Sequence, residues 1–270
     1  MARDFSGKRI VLTGASSGIG RALAVELAKL GAKLVLVARS HDKLIDLASG
    51  LPGSHIIVTA DLTVDEDRVR VIKQAVDKLG GIDILINNAG IASWGHFANS
   101  DEAVMREVME VNFFAPVELM RLAIPHLTNG VDPLICNVSS MCGRRGMPAW
   151  PEYSASKFAL SGLSESLRGE MARFGIDVVL AVPGMTKTGL RENMPRNEGK
   201  AKIDFEAGMQ PQEVATKIIG AIRSGKNEIV IGSDAKRMLR MHRWFPRLLD
   251  RLICRKVKKL YAGEAAVASH

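Results

Sequence analysis

No apolar run in this 270-residue chain approaches the roughly 18–20 residues that cross a bilayer. The opening "MARDFSGKRIVLTG" has no apolar core of the kind a secretory leader needs. Cysteine is scarce. Cys136, Cys142 and Cys254 are odd in number and lack metal-ligand spacing. That pattern excludes a disulfide framework, gives no reason to expect a metal, and suits a reducing compartment. Internal repeats, low-complexity tracts and Pro/Gly/Ser-rich linkers are missing too. A cytoplasmic location is expected, with peripheral membrane contact left open by the distribution of charge.

The net charge is +8, but it is not spread evenly. Residues 235–260 hold Lys236, Arg237, Arg240, Arg243, Arg247, Arg251, Arg255, Lys256, Lys258 and Lys259 against the single acid Asp250. That segment therefore carries +9 and leaves −1 for the rest. A near-neutral body argues against nucleic acid as a partner. Hydrophobic residues make up 47% of the chain, enough for one sizeable core.

Short β-branched runs alternate with longer amphipathic stretches. Strands are expected at Arg9–Thr13, Lys33–Val37, His55–Ala60, Ile82–Ile86, Leu134–Val138, Asp177–Val182 and Glu228–Ile231, with helices near 18–30, 41–49, 65–79, 101–127, 152–173 and 211–224. This alternation predicts an α/β fold, a single Rossmann-type, doubly wound parallel sheet of about seven strands with helices on both faces. The expected organisation is a dinucleotide-binding and catalytic domain over 1–234 and a basic amphipathic helical extension over 235–270.

In such sheets ligands bind beyond the carboxyl ends of the strands. Glycines and small polar residues collect there: "TGASSGIG" after the first strand, "NNAG" after the fourth, Ser139 and Ser140 after the fifth and "PGMTKT" after the sixth. The first of these lies between a strand and a helix, the context that makes a glycine pattern informative. Gly14 suits a tight turn, Gly18 a close approach to a pyrophosphate and Gly20 a close helix–sheet contact. Free N–H groups at the helix start then face the anion, with Ser16, Ser17 and Ile19 in the same cradle.

The end of the second strand reads "LVLVARSHDKL". An NAD-binding domain carries an acid there for the ribose 2′-hydroxyl. This chain has Ala38 followed by Arg39. A guanidinium grips a 2′-phosphate that an acid would repel, and Ser40 adds a hydroxyl. NADP(H) is therefore expected over NAD(H). Further on, "EYSASKFAL" sets Tyr153 and Lys157 four residues apart, neighbours on one helical face. A free phenol titrates near pH 10. A nearby ammonium favours the phenolate and brings the phenol toward acid–base work near neutrality.

Together, "TGASSGIG", "NNAG", Asn112 in "VNFF", Ser140, "YSASK" and "PGMTKT" resemble, in this order, the short-chain dehydrogenase/reductase family over about residues 6–232. The glycine spacing is that family's T-G-x-x-x-G-x-G rather than G-x-G-x-x-G. The resemblance implies a catalytic set of Asn112, Ser140, Tyr153 and Lys157. Tyr153 is the proton donor or acceptor, Ser140 holds the substrate oxygen, Lys157 also holds the nicotinamide ribose, and the Asn112 carbonyl holds a relay water. It implies cofactor contacts at Asp61 and Leu62 (adenine), at Asn88, Ala89 and Gly90 (adenosine and central ribose), and at Thr186 and Thr188 (carboxamide and pyrophosphate). Pro183 and Gly184, in the same loop, are counted among the cofactor-binding residues, Pro183 for its shape.

The expected activity is an NADP(H)-dependent oxidoreductase, a carbonyl reductase working on a small-molecule, lipophilic carbonyl or alcohol as a homodimer or homotetramer. Two alternatives stay open: an NAD(P)-dependent alcohol or hydroxysteroid-type dehydrogenase working oxidatively, and a dinucleotide-binding regulator without turnover. The substrate end is less defined. Trp94, His96, Met147, Trp150 and Met194 are candidate lining, and Arg144 and Arg145 are either anion ligands or a solvated face. Residues 236–261 interleave Leu239, Trp244, Leu248, Leu249, Leu252 and Ile253 with arginines at helical spacing, broken by Pro246. Two helices are expected, lying on an anionic membrane or packing on protein.

Overall fold

The computed structural model describes residues 2–201, 204 and 207–262. The final residues of the expected extension, 263–270, and residues 202, 203, 205 and 206 of the segment expected to border the substrate lie outside them. Seven parallel strands form one sheet in the order β3-β2-β1-β4-β5-β6-β7. They are β1 (Arg9–Thr13), β2 (Lys33–Ala38), β3 (Ile56–Thr59), β4 (Ile84–Asn87), β5 (Leu134–Val138), β6 (Asp177–Pro183) and β7 (Glu228–Ile231). The chain order reverses between β1 and β4, the switch point at which doubly wound sheets open a crevice.

The strands are buried on both faces, as their near-continuous apolar runs require. Side-chain alternation sends Ile10, Leu12, Leu34, Leu36, Ile84 and Ile86 to one face, where α1 (Gly18–Lys29) and α7 (Pro211–Arg223) pack. Val11, Val35, Val37, Leu85 and Ile135 go to the other, under α3 (Asp65–Leu79), α5 (Ala115–Leu127) and α6 (Pro151–Met171). Helix α2 (His41–Ser49) joins β2 to β3. Cys136 is fully buried in β5, and burial pushes its thiol up to about 12, so it is inert core.

Two expectations are corrected. The helix expected over 101–127 is α4 (Glu102–Met109) and α5 joined by a π turn, Glu110–Phe114, which carries Asn112. The fourth strand begins at Ile84 rather than Ile82; Asp83, just before it, still bonds its backbone to Arg9 and Leu134 of the neighbouring strands and adds a side-chain bond set. Its carboxylate accepts from the Arg9 backbone N–H (2.8 Å), Arg9 Nε (3.0 Å), Arg9 Nη2 (2.6 Å) and the Val131 N–H (2.8 Å).

The C-terminal segment forms α8 (Ser233–Trp244) and α9 (Pro246–Leu260). Pro246 stands at the first position of α9, where a missing N–H leaves no helical bond unmade. Leu249 is buried and Ile253 and Val257 are half-buried. One narrow stripe of α9 therefore packs inward while Leu248 and Leu252 stay exposed.

Asp83 links the start of β1 to the loop before β5. Burial opposes its charge, but the hydrogen bonds from Arg9 and Val131 win and hold the carboxyl below its ordinary value. The stability it contributes is complete above the unfolded carboxylate pKa and fades as pH falls through the lower folded value. Asp83→Ala should cost roughly 1.5–3 kcal/mol in urea unfolding at neutral pH. The deficit should shrink in acid, and an equal deficit at pH about 2 would show that packing, not charge, is what Asp83 supplies.

Candidate active site

Along the carboxyl edge of the sheet runs a cleft of about 610 Å³. It begins at the loop from β1 into α1, lined by Gly14, Ser16, Ser17, Gly18 and Ile19. Gly20 does not reach the cleft. Its role is packing: a Cβ there would lie 2.1 Å from the Gly14 carbonyl oxygen and 2.5 Å from Asn88 Nδ2. Asn88 is an anchor as well as lining. Its Nδ2 donates to the carbonyls of Thr13 (3.0 Å) and Gly14 (3.3 Å), while the Asn88 and Ala89 N–H groups donate to Thr13 Oγ1. The glycine loop and the β4 loop are thus one hydrogen-bonded unit.

At the β2 end, Arg39 and Ser40 border the cleft beside Ala38. Lys43, four residues beyond Arg39 on the first turn of α2, borders it as well and was missed. Its place four residues past Arg39, in the same stretch after β2, was the available signal. Asp61 and Leu62 line the adjoining wall. One Asp61 oxygen caps its own turn, accepting from Thr63 N–H (2.9 Å) and Oγ1 (2.7 Å).

The middle of the cleft brings Ser140, Tyr153 and Lys157 together, with Gly90 opposite and Pro183, Gly184, Thr186 and Thr188 on the β6 side. Tyr153 and Lys157 lie on α6, and Nζ is 5.9 Å from the ring centroid. Lys157 is 4% exposed, and its ammonium donates to the Val138 carbonyl at 3.1 Å. Gly90 gives the Lys157 and Asn112 side chains room: a Cβ would sit 3.2 Å from Nζ and 3.0 Å from Asn112 Oδ1, tighter than an ordinary contact. Ser139, the rival of Ser140, is turned inward, its hydroxyl bonded to the Lys157 carbonyl (3.1 Å) and Ser161 Oγ (2.9 Å). Ser140 accepts from the Cys142 N–H at 3.1 Å.

Electrostatically, burial dominates. It raises the Tyr153 phenol pKa, with Cys142 adding to the shift and the Ser140 hydroxyl opposing it. It also lowers the Lys157 ammonium to about 8. The expected lowering of the tyrosine by the lysine is therefore not what this environment produces, because desolvation disfavours both charged forms. The half-buried Cys142 thiol is pushed up to about 11 by desolvation.

Asn112 does not line the cleft. Its side chain is buried, with Oδ1 accepting from the Ile91 N–H (2.9 Å) and Nδ2 donating to the Ile91 carbonyl (2.8 Å) and Ser156 Oγ (2.9 Å). It clamps the β4 loop to α6.

At the substrate end Met147 and Trp150 are lining, but Trp94, His96 and Met194 are not. Trp94 is buried behind Trp150, ring centroids 6.0 Å apart, and Trp150 stands 5.9 Å from Tyr153. His96 points away, edge-on to Tyr261 at 5.0 Å. Arg144 and Arg145 form neither an anion site nor a solvated face. Arg144 bridges Glu165 and Glu228, and Arg145 pairs with Asp250 of α9 at 2.5 Å. In their place the wall is completed by Leu190, Asn193 and three residues of α8: Asp234, Arg237 and Met238. Nothing local in the sequence marked α8 as part of the site.

Among the described residues no group of histidine, cysteine and acidic side chains could hold a metal, and no helix is long and apolar enough to cross a membrane. The model of the family described as short chain dehydrogenase matches residues 8–199. The chain is 36% identical to the uncharacterized oxidoreductase YxnA of Bacillus subtilis (strain 168), over 90% of this chain and 70% of that one. It is 34% identical to a 3-ketodihydrosphingosine reductase of Mus musculus, over 84% and 72%. Among solved structures it superposes on a short chain dehydrogenase of Burkholderia cenocepacia J2315 in complex with NADP, with a TM-score of 0.79, 26% identity and coverage of 93% and 99%. A 3-ketoacyl-(acyl-carrier-protein) reductase of Brucella melitensis complexed with NADH gives a TM-score of 0.76 at 25% identity, covering 84% and 96%. With its motifs assembled on one edge of a seven-stranded parallel sheet, the chain belongs to the short-chain dehydrogenase family of oxidoreductases.

Proposed function

We propose that this chain is an NADPH-dependent reductase of a lipophilic ketone, with Tyr153 as the proton donor. The observation that carries the reading is the convergence of Ser140, Tyr153 and Lys157 on one cleft with Arg39 and Lys43 at its far end. Both cations are exposed, and Ala38 occupies the place of an acid. The residues fit a phosphorylated dinucleotide. The α1 start offers N–H groups to a pyrophosphate, and the β2 end offers two positive side chains to a 2′-phosphate. Bound there, the nicotinamide supplies the hydride.

The chain's own residues handle the oxygen. Ser140 hydrogen-bonds the carbonyl and orients it. Tyr153, held protonated by burial, gives its proton to that oxygen as negative charge develops. Lys157 then stabilises the resulting phenolate, a charge that burial alone would not tolerate. A phenol kept neutral before reaction suits reduction better than oxidation. Asn112 acts by position, holding the β4 loop against α6. The apolar lining from Met147, Trp150, Leu190 and Met238 suits a lipophilic ketone. The likeness to a 3-ketodihydrosphingosine reductase supports that class. Neighbours hold NADP in one case and NADH in another, so the phosphate preference rests on Arg39 and Lys43.

Tyr153→Phe should leave NADPH binding nearly unchanged and lower ketone turnover by roughly 10²–10⁴-fold. Full turnover would remove Tyr153 from the chemistry. Lys157 keeps its charge only below about 8, so kcat/KM for reduction should fall as pH rises through that value. A profile flat to pH about 10 would mean the ammonium is not required. In fluorescence titrations Arg39→Asp should weaken NADPH roughly 10–100-fold and spare NADH. A wild-type preference for NADH would sink the cofactor assignment.

A further inference from the structure

The extension raises a question the reductase reading does not answer. Helix α8 leaves β7 and immediately forms part of the cleft: the Asp234 carboxylate accepts from the Met185 N–H at 3.2 Å, and Arg237 and Met238 border the cavity. Six residues beyond Met238, about 9 Å along the same helix, begins an apolar patch. Trp244 is 70% exposed, Phe245 61%, Leu248 48% and Leu252 44%. Leu248 and Leu252 lie one turn apart on α9, with Phe245 at the junction just before it, and are separate from the Leu249, Ile253 and Val257 stripe that packs inward.

The charge around the patch decides what can cover it. Helices α8 and α9 carry ten lysines and arginines against Asp234 and Asp250. Both acids are engaged, Asp234 at the Met185 N–H and Asp250 with Arg145. Among the described residues no acid forms an ion pair with any of the ten cations. A second copy of the chain docked face to face would bring two such uncompensated patches together. A nucleic acid would neutralise the charge but leave the apolar stripe in water. An anionic bilayer satisfies both, with lipid phosphates taking the cations while tryptophan, phenylalanine and leucines enter the interface.

We propose that α8 and α9 dock the protein on an anionic lipid surface and turn the α8 side of the cleft toward the bilayer, from which a lipophilic ketone enters. This rests on the reductase reading for its second half only. The extension is tied to both loops at the substrate end, by Arg145–Asp250 on the β5 side and by His96 against Tyr261 on the β4 side. A surface that holds α9 therefore also holds the mouth of the cleft.

The test uses the full chain and vesicles of phosphatidylcholine with about 30% phosphatidylserine. Wild type should sediment with them, should not sediment with pure phosphatidylcholine, and should be released as salt rises from about 0.1 M to about 0.5 M. Leu248→Asp/Leu252→Asp should bind roughly tenfold more weakly or worse. It should reduce a water-soluble ketone as fast as wild type and a long-chain ketone carried in the vesicles more slowly. Arg247→Glu/Arg251→Glu, which leaves the apolar stripe intact, should also weaken binding. Wild type that ignores anionic vesicles, or a double-leucine variant that binds as well as wild type, overturns the docking surface. So does a change of oligomer size on that substitution without lipid binding, which would assign the stripe to a second copy. Normal docking with equal use of vesicle-borne ketone by both proteins overturns the entry route. Absence of turnover on every ketone, with docking intact, removes the reductase reading and the entry route together and leaves the surface standing.

Discussion

A lysine only 4% exposed to water has to have its charge placed by everything around it. Lys157 is where three parts of the chain meet. Its Nζ donates to the last carbonyl of β5, its own carbonyl accepts from Ser139 and Ser161, and Gly90 and Gly143 leave it room. The β4 loop is held against it by two buried clamps onto α6. Asn112 joins Ile91 to Ser156, and Glu152 accepts from Ser93 Oγ at 2.7 Å. Burial lowers the lysine and raises the tyrosine beside it. The two groups are therefore poised against ionisation, and a developing charge on one is best answered by charge on the other. The proton chemistry proposed for them would then be a consequence of packing: loosen the clamps and both groups return toward their values in water.

The parallel sheet makes that packing possible. Every strand presents its carboxyl end to the same edge, so residues from β1, β2, β4, β5 and β6 share one cleft although they span most of the chain. This is also why so much was legible from the sequence. β-Branched runs located all seven strands to within about two residues, and the turn chemistry after each strand located the cleft. The Tyr153–Lys157 spacing needs only the helical repeat. The π turn at Glu110–Phe114 was not legible, since one residue of extra winding leaves no mark on an apolar period.

The substrate end was less readable for a physical reason. Periodicity says which side chains are covered, not what covers them. Trp94 and Trp150 both read as lining, but one stacks behind the other. His96 reads as a loop residue near the site, yet its partner is Tyr261 at the far end of the chain. Arg144 and Arg145 look like a solvated pair until Glu165, Glu228 and Asp250 are brought to them by the fold. Lys43 differs. Its place four residues past Arg39 is visible in the sequence, but a lysine on the first turn of a helix usually serves only solubility.

Helix α8 shows how a segment that looks like an appendage by composition can be continuous with the site. Its first turn is pinned by Asp234 to the Gly184–Met185 loop, which borders the middle of the cleft. Its last turn carries Trp244 into solvent. Charge separates sharply along this stretch, from a body near neutrality to a segment of +9. Such segregation is unfavourable within the chain, because like charges on neighbouring turns repel, and α9 retains one inward ion pair, Asp250 with Arg145. A helix pair that repels itself and exposes aromatic side chains gains most when an external surface supplies negative charge and an apolar phase at once. On the proposed docking, the short helical run from Met238 to Trp244 would set the distance between that surface and the cleft.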